Sequence, residues 1–248
     1  MIKAVWLVCI FWGCFLMTAH ALELPWEAEH SEMEKSVPER SELEELQLEA
    51  QKGDRDAQLK LGQAYFSGRY GLEPDMALVA YWLRQAADQG HRVAQYNLGW
   101  LYSQGQGVVQ SDRLAVAWYR KAAEAGLPVA QFNLGNAYRD GKGVEQNHQE
   151  AVRWYRRAAD QDFVSAQTQL GVAYWEGQGV ERNDAEAVRL WRLAVAQGSS
   201  ASKYNLGLAY EHGRGLKQDL NQALKWYRQS AALGNADATK KIKQLTQP

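Results

Sequence analysis

Apolar and small residues recur along most of the chain at helical spacing, and the recurrences themselves repeat. Leu61-Gly62, Leu98-Gly99, Leu134-Gly135, Leu170-Gly171 and Leu206-Gly207 follow one another at steps of 37, 36, 36 and 36 residues. A fixed period of this size marks a stacked array of one supersecondary unit. In the first half of each unit, residues such as Ala94, Leu98 and Tyr102 stand at i, i+4 and i+8 and form one apolar stripe. Gly99 beside that stripe leaves room for a neighbouring helix to come close. A second helix is predicted from a column made only of capping residues: Asp75, Ser111, Asn147, Asn183 and Asp219. Three residues later Glu150, Glu186 and Gln222 complete a reciprocal capping box. A Trp column follows at Trp82, Trp118, Trp154 and Trp226, its missing member being Leu190 with Trp191 beside it. Gly90, Gly126, Gly198 and Gly234 end these helices, and Asp162 takes that place in the third unit, where aspartate tolerates the left-handed conformation better than most residues. Each unit therefore reads as a pair of helices joined by a G-x-G loop, with one extra residue between Gly68 and Gly71 in the first.

Ahead of the repeats the pattern differs. Lys3, an apolar run from Ala4 to Ala19 and the small-x-small end Ala19-His20-Ala21 read as a signal peptide, residues 1–21, cleaved near Ala21. The apolar run is shorter than the roughly 20 residues that span a bilayer. An uncleaved inner-membrane anchor and a lipid-modified Cys14 are the alternatives. Residues 22–40 read as an acidic flexible arm, with Pro25 and Pro38 among many Glu. Ser41 with Glu44 forms a capping box, and Leu43, Leu46 and Ala50 at helical spacing predict a helix over about 42–52 within an N-terminal capping segment, residues 41–56. Five repeats over 57–234 and a C-terminal capping helix over 235–248 complete the expected organisation.

Composition narrows the functional classes. The chain is 46% hydrophobic and 23% charged, ample for a core. Its 28 Lys and Arg against 29 Asp and Glu leave a net charge of −1, without the basic excess of a nucleic-acid binder. The total hides a polarity, since residues 22–56 hold 12 acidic and 4 basic side chains, a net −8. Both cysteines, Cys9 and Cys14, lie in the leader, so the processed chain has no thiol liability in an oxidising compartment. A periplasmic or secreted location is expected.

The repeated columns resemble the Sel-1-like repeat, a relative of the tetratricopeptide hairpin. The shared pattern, A-x-x-x-L-G-x-x-Y-x-x-G-x-G-V followed by A-x-x-W-Y-x-x-A-A-x-x-G, is matched nearly in full from Ala130 to Asp162 and closely in the other four copies. The resemblance implies an all-α fold, a right-handed α-solenoid of about five helical hairpins plus capping helices. It also implies a concave face lined by the first helices, with the groove at positions flanking the repeat Leu. In this chain the expected groove residues are Phe66, Tyr96, Trp100, Phe132, Asn136, Arg139, Trp175 and Tyr204.

Motifs of catalytic chemistry are few, and each lacks its context. His30, His91, His148 and His212 lack any H-E-x-x-H arrangement, so no metal or other cofactor is expected. Ser200-Ala201-Ser202-Lys203 matches S-x-x-K, yet neither S-D-N nor K-T-G follows, and the match reads as chance. The G-x-G pairs join helix to helix with no preceding strand, which fails the context of a phosphate cradle. The expectation is a non-enzymatic, monomeric periplasmic scaffold binding a segment of a cell-envelope protein in an aromatic groove, without nucleic acid. A regulator docking on a membrane sensor or envelope assembly complex is one alternative. A glycan-binding or envelope hydrolase module is the other, because exposed aromatic rings also stack on sugars.

Overall fold

The local signals that set the helix boundaries are hydrogen-bonding groups within a few residues of each end. Asp75 accepts from the backbone N–H groups of Ala77 and Leu78, Ser111 from Leu114, Asn147 from Glu150, Asn183 from Glu186 and Asp219 from Gln222. All five predicted N-caps therefore occupy donors that the helix itself leaves open. The reciprocal half of the capping box is replaced, because the cap residue's own N–H donates elsewhere. Asn147 N–H goes to the carbonyl of Tyr138 and Asn183 N–H to that of Tyr174. Glu150 and Glu186 are thus released to pair with Arg153 and Arg189. Asp162 has φ of 59°, the left-handed conformation expected of it.

A computed structural model describes residues 37–247; the expected leader and nearly all of the acidic arm lie outside them. Among the described residues there are twelve α-helices and one three-residue 3-10 helix, Arg69–Gly71, and no strand. The chain divides into units Met1–Leu43 and Glu44–Pro248. Helix α1 is Val37–Gln51, followed by five hairpins: α2 (Arg55–Ser67) with α3 (Met76–Asp88), α4 (Arg92–Gln104) with α5 (Asp112–Glu124), α6 (Pro128–Asp140) with α7 (His148–Ala159), α8 (Val164–Glu176) with α9 (Asp184–Ala196), and α10 (Ser200–His212) with α11 (Leu220–Ala231). Helix α12, Ala236–Thr246, ends the stack. The start of α1 departs from the capping-box reading, since Ser41 stands inside the helix. Pro38 lies in its first turn, where a missing N–H loses no bond.

From α2 onward every substantial helix interface joins consecutive helices, the signature of a solenoid in which each hairpin meets only its neighbours. Helix α1 is the exception, with a contact to α2 smaller than that of any later consecutive pair. The core includes the fully buried Leu61, Leu98, Leu134 and Leu206 and the fully buried Ala86, Ala122, Ala158 and Ala194. Small alanines at these positions let the helices approach closely, and Trp118, Tyr119, Trp154, Tyr155, Trp191 and Tyr227 are buried with them.

A polar column runs through the same interfaces. Gln58, Gln95 and Gln131 donate from Nε2 to the carbonyls of Ala50, Ala87 and Ala123, each at 3.1 Å. The acceptor ends of Gln58, Gln131 and Gln167 are met by Gln89, Gln161 and Gln197 at 2.8, 2.8 and 3.1 Å. In the second repeat the corresponding position is Ala125, and Gln95 Oε1 is left buried without a partner. Ala125→Gln should therefore stabilise the protein by about 0.5–1.5 kcal/mol, the net worth of one hydrogen bond to a buried group. Urea denaturation of the variant beside the parent chain measures it, and an unchanged midpoint would show that Gln95 finds another donor.

Candidate functional site

The side chains expected in the groove come from the first helices of the five hairpins, two residues before, two after and five after the repeat Leu. Helical geometry brings these positions onto neighbouring turns of one face. All eight are half-buried: Phe66 on α2, Tyr96 and Trp100 on α4, Phe132, Asn136 and Arg139 on α6, Trp175 on α8 and Tyr204 on α10.

What braces Tyr96, Phe132, Trp175 and Tyr204 is a column that sequence reasoning passed over. Tyr119, Tyr155, Trp191 and Tyr227 project from the second helices, across the repeat glycine, toward the first-helix face. The ring of Tyr96 lies 5.7 Å from that of Tyr119, Phe132 lies 5.8 Å from Tyr155, Trp175 5.3 Å from Trp191 and Tyr204 5.5 Å from Tyr227. Phe132 also meets Phe163 at 5.5 Å, at the start of the next repeat. The tips of the bracing residues are held by polar partners. Tyr155 OH donates to Asn136 Oδ1 at 2.8 Å, Trp191 Nε1 donates to the Thr168 carbonyl at 3.2 Å, and Tyr227 OH donates to Glu211. Burial pushes the Tyr155 phenol up to about 12 against the opposing charge of Arg139, so it is a neutral donor at physiological pH.

The charged members of the face are internally neutralised. Arg139 binds both carboxylate oxygens of Asp140, at 2.7 and 2.9 Å, and reaches Gln169 Oε1 at 3.3 Å. Hydrogen bonds from Arg139 hold the Asp140 carboxyl below its ordinary range. Together with Tyr155, Val172 and Glu176, Arg139 lines a shallow recess between the third and fourth hairpins. Trp175 lies under the Arg214 guanidinium at 3.5 Å. That arginine also donates to the Trp175 carbonyl at 2.6 Å and to both oxygens of Asp184, at 2.6 and 3.1 Å. Arg182 and Arg214 hold the Asp184 carboxyl far below the usual carboxylate range. The face as a whole is aromatic, amide-bearing and free of unpaired charge at the predicted positions.

The other candidate motifs resolve into structural roles. His91 caps α4, its Nδ1 accepting from Ala94 N–H at 3.2 Å while Nε2 lies 3.2 Å from Asp56. Ser200 Oγ lies 3.2 Å from the Ser230 carbonyl and 3.3 Å from the Ser230 hydroxyl, with no Lys203 bond to it among the described residues. The second glycine of each later G-x-G loop rests on the backbone at the start of the preceding hairpin's second helix, so the loop glues repeats together. No group of three or more metal-ligating side chains occurs among the described residues.

The Sel1 repeat model matches five consecutive segments, residues 55–91, 92–127, 128–163, 164–199 and 200–235. A protective antigen of uropathogenic Escherichia coli with an SLR fold is 40% identical at a TM-score of 0.77, over 82% of this chain and 43% of that one. A Sel1 repeat protein from Oxalobacter formigenes is 34% identical at a TM-score of 0.72, over 76% of this chain and 77% of that one. A 62-residue stretch is 36% identical to the ERAD-associated E3 ubiquitin-protein ligase component HRD3A of Arabidopsis thaliana. That stretch is 25% of this chain and 9% of the plant protein, and the chain spans less than half of the E. coli structure.

Proposed function

Because the chain belongs to the Sel1 repeat family, whose members generally mediate protein–protein interaction and are generally non-enzymatic, we propose that it is an exported scaffold of the periplasm. Its first-helix face holds a segment of a cell-envelope protein, and binding is the whole of its mechanism. The observation that carries this reading is the half-burial of all eight predicted face residues, with the rings of Tyr96, Phe132, Trp175 and Tyr204 braced from behind. A ring already held in one rotamer loses little entropy when a partner covers its open edge. A face without unpaired charge also adds no ion desolvation cost, which favours an uncharged, apolar or aromatic segment.

The test places a photo-crosslinking residue at Trp100, and in parallel at Ala117, an exposed position on the second helix α5. One discrete envelope protein captured from position 100 alone, whose purified form binds at least about 30-fold more weakly to Trp100→Ala, is the expected result. Equal capture from both positions, or none with the protein folded and exported, would overturn the reading. Capture of glycan at position 100 would assign the same face to sugar stacking.

A further inference from the structure

The two ends of the stack carry complementary halves of one hairpin. Among the described residues, helix α12 stands in the place of a first helix and no second helix covers it. It packs on α11 as α4 packs on α3, and its Asn235 cap accepts from Ala238 as His91 accepts from Ala94. Ile242 stands in the repeat Leu column, but it is only half-buried, whereas Leu98, Leu134 and Leu206 in complete hairpins are fully buried. Helix α1 ends in the place of a second helix, with no first helix before it among the described residues. Its Ala50 carbonyl accepts from Gln58 at 3.1 Å, the same bond by which Ala87 and Ala123 accept from Gln95 and Gln131. Counted back from Gly53, Leu46 occupies the column of the bracing rings and is half-buried.

Charge distinguishes these two halves from the rest. In complete hairpins the first helix meets its second helix through the glycine column and through the position two before the Leu. In α12 those two positions are Lys243 and Lys240, both exposed. The second helix meets its partner around the ring column, where the Trp column and an alanine column flank it. In α1 the flanking positions are Glu45 and Glu49, both exposed. The Lys243 column needs glycine only where a ring lies opposite, and Leu46 is not a ring; Gly62, which faces Leu83, already has room for a Cβ at 3.4 Å. The same polarity runs through the whole chain. Residues 57–181 carry 12 acidic and 12 basic side chains, while residues 182–248 carry 11 basic and 5 acidic, a net +6 opposite the −8 of residues 22–56.

We propose that α1 of one copy completes the hairpin begun by α12 of a second copy, joining chains head to tail. Leu46 covers Ile242, Glu45 and Glu49 face Lys240 and Lys243, and the contact replaces the monomer expected from sequence alone. Such a contact is heterologous, so successive copies continue it into open chains or a closed ring. It stands independently of what the first-helix face binds.

Sedimentation velocity of the chain as its own cells process it, across concentration and at low and high salt, tests this. The mass should rise with concentration, and association should weaken by about tenfold or more at high salt. Glu45→Lys with Glu49→Lys gives a chain basic at both ends, and Lys240→Glu with Lys243→Glu one acidic at both ends. Each should sediment as a folded monomer alone, and an equimolar mixture should associate again. A parent chain that stays monomeric at every concentration, or association that survives either reversal, overturns the proposal. Should a reversed variant fail to fold, Leu46→Cys in one copy and Ile242→Cys in another keep the test open: a disulfide between them is expected under oxidation, and its absence overturns the register.

Discussion

Gly107→Ala should destabilise the protein by about 3 kcal/mol or more, while Gly71→Ala costs only about 1 kcal/mol. Both glycines are the second of a loop pair, with φ of 67° and 73°, so both substitutions carry the left-handed penalty of an L-residue. What separates them is the seat. A Cβ on Gly107 would lie 1.9 Å from the Met76 carbonyl oxygen and 2.4 Å from its carbon, whereas nothing lies within 4 Å of a Cβ on Gly71. The Met76 atoms are backbone at the first turn of α3, and they yield only if the second hairpin lifts away from the first. In a nearest-neighbour stack that loss falls on one junction. Urea titration with hydrogen exchange should show the first hairpin opening ahead of the rest in Gly107→Ala. Equal costs for the two variants would mean that backbone strain, not the seat, keeps the glycine.

Gly171→Ala should be the second large effect, destabilising by about 2 kcal/mol, with Gly62→Ala as its opposite. Alanine in mid-helix gains up to about 1 kcal/mol in intrinsic propensity over glycine. At Gly62 that gain stands, because the nearest atom to a Cβ is Leu83 Cγ at an ordinary 3.4 Å. At Gly171 the Cβ would lie 2.4 Å from Trp191 Nε1 and 2.7 Å from Cδ1. Trp191 is fully buried and tied by its N–H to the Thr168 carbonyl, so it has no free rotamer to move into. Overpacking of this kind costs about 1–3 kcal/mol beyond the propensity gain. The two variants should move the thermal midpoint in opposite directions. Combining Gly171→Ala with Trp191→Leu, which copies the first repeat's solution, should cost less than the sum of the single changes. Strict additivity would show that the ring is not what the methyl meets.

The candidate face was legible to a definite depth. Spacing from the repeat Leu placed Tyr96, Trp100, Phe132 and Trp175 on successive first helices, and all four are half-buried on α4, α6 and α8. The rings behind them were overlooked, although each follows directly on the Trp column, as Tyr119 follows Trp118 and Tyr155 follows Trp154. Their partner is a glycine some 20 residues earlier, and a glycine column by itself does not say which ring fills the space it leaves. Spacing placed Arg139 among the groove residues; its neutralisation by Asp140 and Gln169 depends on side-chain geometry and on a neighbouring repeat.

Sequence by itself determined the all-α class, the five hairpins, the N-caps from Asp75 to Asp219 and the left-handed Asp162, because each rests on bonds closed within a few residues. Tertiary structure alone decided three things. The capping boxes stay half-formed, since tyrosine carbonyls of the first helix take the cap N–H groups. The loop glycines serve the preceding hairpin, and the glutamines join helices 30 residues apart, with one acceptor stranded at Gln95. These contacts reach across whole repeats, and a periodic sequence offers the same side chains in every repeat; only packing selects which copy meets which.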